Sequence, residues 1–164
     1  MSHNKKFIND IIQFLENEPL ESKIYIGVDS ESYLNKNRVR MATFYSVVVI
    51  HKNGRNGCKI FGDKITERDY VTDKKKPTRR LMQEVYMASA LYLALEQYIS
   101  PRECEIHLDL NPSHKHVSNL VVEQAIGYVK GSCNVVPFIK PDSWCATSVA
   151  DKFLRIRRKS EMNG

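Results

Sequence analysis

Three carboxylates fall where a folded chain has least use for them. Glu84 lies three residues after Leu81 and four before Ala88, within the stripe of Leu81, Val85, Ala88, Leu91, Tyr92 and Leu95 that marks a long helix. A buried, unpaired carboxylate is costly. Glu84 therefore needs a cation, a hydrogen-bond donor or a place at a crevice edge; the plainer alternative is a stripe-edge side chain that reaches solvent. Asp29 and Asp109 each close an otherwise apolar strand, in Gly27-Val28-Asp29-Ser30 and His107-Leu108-Asp109-Leu110. Asp is disfavoured in strands, and ligand sites in open α/β sheets lie at the carboxyl ends of strands. If the two strands are parallel neighbours, the carboxylates converge; otherwise each Asp merely begins a turn. A fourth, Asp151, follows the small-residue run Ala146-Thr147-Ser148-Val149-Ala150 and shares a helical face with Thr147, Ser148 and Leu154. Its plainer role is an i,i+4 partner for Arg155.

Clustered hard oxygen ligands repel one another unless a divalent cation neutralises them, and Mg²⁺ or Mn²⁺ suits such ligands. Two such ions ~3.5–4 Å apart can activate a water and stabilise the leaving oxygen in phosphodiester cleavage. The charge balance is compatible with a polyanionic substrate: 25 Lys and Arg against 19 Asp and Glu give +6 and a pI near 9.1. Solubility alone would also explain it. The excess is local, in the run from Asp73 to Arg80 and in Arg155, Arg157, Arg158 and Lys159.

Other reactive residues carry weaker signals. Cys104 and His107 are three apart on a strand and point to opposite faces, which argues against a zinc site with His114 and His116. His114 or His116 in the loop after Asp109 could shuttle a proton, but a surface histidine is the plainer reading. No GxSxG elbow surrounds Ser30 or Ser148. Lys140 suits a phosphate contact or a solvated turn equally. Trp144, the single tryptophan, reads as a helix anchor before a base-stacking platform.

The elements that must position these residues follow from pattern. Helices are expected over Asn4–Glu16, from Pro77 to about Ser100, from Val117 to Gly131, and from Trp144 to about Arg158. Strands are expected over Lys23–Asp29, Val39–Lys52, Cys58–Thr66, Glu103–Leu110 and Cys133–Ile139, the last at an edge because of Pro137. Ser30–Asn37 reads as a polar turn and Asn53–Gly57 as a hairpin. This order gives an α/β mixed sheet of five strands, a meander of three followed by βαβ units, with helices on its faces. The 164 residues fit one domain. No apolar run is long enough to span a membrane. Phe7–Leu15 is interrupted by Asn9, Asp10 and Gln13 and is no signal peptide. Four cysteines without a CxxC pair suit a reduced, cytoplasmic setting.

Taken together, several segments resemble the YkuK family of ribonuclease H-like nucleases. They are Tyr25-Ile26-Gly27-Val28-Asp29-Ser30, Arg80-Leu81-Met82-Gln83-Glu84-Val85, Ile106 to Pro112, Gly127 to Gly131, and Ile139 to Trp144 with Ser148 to Asp151. The resemblance covers roughly residues 23–153, so residues 1–20 are expected as an added N-terminal helix and 154–164 as a basic tail. It implies a ribonuclease H-like three-layer fold and a metal-dependent nuclease acting on RNA, DNA or an RNA–DNA hybrid. Asp29 would bridge two Mg²⁺ or Mn²⁺ ions, Glu84 and Asp109 would complete the shared site, and Asp151 would be the fourth ligand, with Asp142 as its competitor. Nucleic acid would meet Ser30, Lys75, Arg79, Arg80, His116 and Lys140. The alternative is a domain of the same fold that binds nucleic acid, or serves as an adaptor, without catalysis.

Overall fold

The computed structural model describes every residue except 1, 55–56, 71–77, 113–117, 154 and 157–164. Lys75, His114 and His116, Pro77, and the basic tail from Arg157 onward lie outside the described residues.

Three long strands form the expected meander: β1 (Lys23–Leu34), β2 (Arg40–His51) and β3 (Cys58–Arg68). The chain then rises through α2 (Thr78–Ile99) and returns as β4 (Cys104–Leu108), parallel to β1. The sheet order is β3-β2-β1-β4. The run Val47-Val48-Val49-Ile50 is buried on both faces, as a strand inside the sheet requires.

Two expectations fail. The polar turn at Ser30–Asn37 does not begin at Ser30, because β1 continues to Leu34 in register with β2 (Ser30↔Phe44, Ser32↔Ala42, Leu34↔Arg40). Beyond Val28 the ladder to β4 stops, so this half of β1 is covered on one edge and its polar residues are tolerated. The fifth strand is also absent among the described residues. Helix α3 (Ser118–Cys133) runs past Gly131, and Asn134 turns the chain with φ of 55°. What remains makes a single parallel bridge, His107↔Phe138. It is held by Phe138 N–H to Ile106 O (2.8 Å) and Leu108 N–H to Phe138 O (2.9 Å).

The strand period of two sorts the core. Ile24, Ile26 and Val28 join Phe44, Val48 and Ile50 under Val85, Ala88, Leu91 and Leu95 of α2. On the other face, Tyr25, Val47 and Val49 meet α4 (144–156, residue 154 aside), which is π-helical over Cys145–Ala150. The small side chains of that segment let it lie directly on β1. A Cβ on Gly27 would sit 2.6 Å from Ala146 N and 2.7 Å from Cys145 C, so this position requires glycine for close approach.

Helix α1 (Lys5–Glu16) packs on the α2 side through buried Phe7, Ile11 and Leu15. Asn4 caps it, its side chain accepting from Lys6 N–H at 2.9 Å. Arg102 secures its far end. It donates to the carbonyls of Leu15 (2.8 Å), Glu18 (2.5 Å), Pro19 (3.1 Å) and Tyr98 (2.8 Å), satisfying acceptors that a helix end leaves open. No helix among the described residues is long and apolar enough to cross a membrane.

Candidate active site

Glu84 is 3 % exposed, so the stripe-edge alternative is excluded. Its donor comes from the next strand layer: Ser30 Oγ–H donates to Glu84 Oε1 at 2.5 Å. Alternation along β1 explains the pairing, since Ser30 follows Val28 and Ile26 on the α2 face. Asp29, one residue earlier and 9 % exposed, accepts from Ser30 N–H at Oδ1 (2.8 Å). Ser30 therefore touches both carboxylates, one through its backbone and one through its hydroxyl.

β1 and β4 are parallel neighbours, and the register ends at Val28↔Leu108. Asp29 and Asp109 each follow directly on those paired residues, where the β1–β4 ladder ends and β1 continues alone beside β2. After Asp109 the chain tightens, with Leu110 N–H donating to Leu108 O at 2.8 Å. The parallel segment beyond Phe138 then brings Lys140 alongside: Lys140 N–H donates to Leu110 O (3.0 Å), and its Nζ lies 2.6 Å from Asp109 Oδ1. Asp151 stands in α4 with Arg155 Nε 2.9 Å from its Oδ2, the i,i+4 pair. Asp142 is exposed in a turn, its N–H donating to Ile139 O at 2.9 Å. No three Asp, Glu, His or Cys side chains among the described residues gather as a metal-holding group.

Two polar systems escape a reading of the sequence. The first extends along β1: Ser32 Oγ–H donates to Asp69 Oδ2 (2.8 Å), and Arg80 Nη1 lies 3.9 Å from the same oxygen. Its only signal is the repetition of Ser30 and Ser32 on one strand face. The second surrounds His107, which is fully buried. Nδ1 accepts from Cys145 N–H (3.1 Å), so the neutral ring carries its proton on Nε2 and donates it to Glu105 Oε2 (2.8 Å). Burial pulls the imidazole below its usual value, while Glu105 raises it. Rings of Tyr25, Phe138 and Trp144 enclose it, with centroids 5.6, 5.5 and 5.3 Å away. Cys104 packs instead into the α2-side core, on the opposite face as the spacing predicts.

The ribonuclease H-like family model matches residues 6–155, from within α1 to within α4. No curated protein and no solved structure matches the chain.

Proposed function

The chain belongs to the ribonuclease H-like family, and from that premise we propose that it is a nuclease hydrolysing phosphodiester bonds of RNA, DNA or their hybrid with Mg²⁺ or Mn²⁺. The observation that carries the reading is the parallel pairing of β1 with β4, which sets Asp29 and Asp109 one residue beyond Val28 and Leu108. Glu84, tied to Ser30, adds a third carboxylate from α2. The donor types fit a hard divalent cation: carboxylate oxygens, with no thiolate among them. Asp151 would be the fourth ligand only after exchanging Arg155.

A divalent cation bound there supplies Lewis acidity, lowering the pKa of water and offsetting charge on the leaving oxygen. The chain's own residues supply the rest. Ser30 fixes the Glu84 carboxylate by its short hydrogen bond. Lys140, 41 % exposed, can exchange Asp109 for a phosphate oxygen. A second reading, nucleic-acid binding without catalysis, is favoured by the ion pairs that Asp109 and Asp151 already hold.

The test is a Mn²⁺ titration of the wild type and Asp29→Asn, followed by thermal shift and by cleavage of labelled single-stranded, duplex and hybrid oligonucleotides. The expected result is metal-dependent stabilisation and cutting, both lost in the variant. Cutting that survives Asp29→Asn removes the assignment, and oligonucleotide binding without metal-dependent cutting selects the second reading.

A further inference from the structure

A concavity of about 50 Å³, with room for a phosphate-sized group, lies between the first turn of α2 and the ends of β2 and β3. Arg68, Tyr70, Arg79 and Arg80 line it together with the carboxylates Glu67 and Asp69, so that three arginines outnumber two acids above Ala42 and Phe44. The basic side chains are not all consumed by their neighbours. The Arg80 side chain is 13 % exposed, and its Nε is buried without a hydrogen-bond partner among the described residues. Its contact with Asp69 at 3.9 Å is too long for a hydrogen bond. A buried charged donor of this kind is satisfied by an incoming anion. At the rim, the Arg68 guanidinium lies 5.1 Å from the Tyr70 ring centroid, and that ring is 69 % exposed. An exposed aromatic beside guanidinium groups is what a stacked base and its phosphate require.

We propose that this pocket binds one nucleotide of a nucleic-acid strand, with Arg79 and Arg80 on its phosphate and Tyr70 with Arg68 against its base. The inference rests on the nucleic-acid reading above and deepens it. The position is favourable: the floor residue Phe44 pairs with Ser30, the donor to Glu84, and Gln83 in the pocket wall directly precedes Glu84. A nucleotide held here keeps the adjoining strand beside the carboxylates. The nucleotide is either internal or the phosphorylated end of a strand; both present the same chemistry.

The experiment measures binding of labelled oligonucleotides to the full chain in EDTA, where metal-dependent cleavage is silent. The variants are Arg79→Gln, Arg68→Gln and Tyr70→Ala, with Lys5→Gln on the exposed face of α1 as the charge-matched control and thermal shift to verify folding. Arg80 is left intact because it lies against Asp69, whose side chain is 6 % exposed, and its removal would disturb that neighbour as well. Each arginine variant is expected to weaken binding about fivefold and to reduce the salt slope by about 1. Tyr70→Ala is expected to cost about tenfold, while Lys5→Gln binds as the wild type does. A preference for a 5′-phosphorylated over a 5′-hydroxyl strand that vanishes in Arg79→Gln identifies an end; equal binding of the two, with the arginine variants still weak, identifies an internal nucleotide. Unchanged affinity and salt slope in all three variants of a binding-competent protein overturn the pocket alone. Failure of the wild type to bind any oligonucleotide overturns the nucleic-acid reading and the pocket with it.

Discussion

At the scale of single residues, the candidate site is a set of carboxylates already engaged by the chain itself. The Lys140–Asp109 pair is the most consequential, because an ammonium 2.6 Å from Oδ1 competes with any cation for that oxygen. Lys140→Gln is expected to tighten Mn²⁺ binding about fivefold, the effect of removing one nearby positive charge under partial solvent screening; calorimetric titration measures it. Ser30 was legible as a residue near the site but not as the donor to Glu84. That bond joins residues 54 positions apart, and only the strand's continuation past Asp29 puts Ser30 on the α2 face. The costliness of a carboxylate in an apolar stripe did mark Glu84 as needing a partner. The identity of a partner supplied by another element leaves no trace in local spacing.

At the scale of elements, patterning revealed the strands wherever burial on both faces enforced it and failed where it did not. Val47–Ile50 was legible for that reason. The outer half of β1 alternates polar residues with others and imitates a turn, and the stretch after α3 has the β-branched content of a strand but makes one bridge. His107 shows how α4 is attached: its ring accepts the Cys145 N–H in the first turn of that helix. Protonation of Nδ1 breaks this bond. Burial sets the folded chain's His107 below the unfolded value of about 6.5, so the unfolded chain binds the proton more readily. This contribution to stability is full above pH ~6.5 and declines as the pH falls below it. His107→Gln should lower stability at pH 7.5 by about 1–3 kcal/mol, because polar groups lose their buried partner. It should also flatten the difference in melting temperature between pH 7.5 and 5.5 relative to the wild type. An equally steep difference in the variant would assign the acid sensitivity to other groups.

At the scale of the whole molecule, α1 is the helix that the sequence marks as an addition to the fold. It packs under α2 and against β3, with Phe14 and Phe61 edge to face at 5.6 Å, and Arg102 ties its end to α2. Arg102→Met keeps the aliphatic stem but removes donors to four carbonyls, and should cost about 2–3 kcal/mol, seen as a lower urea midpoint with an unchanged m-value. The pairing of β1 with β4 has a consequence in time as well as in space. β1, β2 and β3 are joined by short connections, whereas β4 reaches β1 from about 80 residues further along the chain. A polypeptide leaving the ribosome can therefore set Asp29 and Glu84 in place once α2 is made, while Asp109 must wait for a distant loop to close. Until it closes, a nascent chain holds Asp29 and Glu84 joined through Ser30 but lacks the carboxylate of Asp109 beside them.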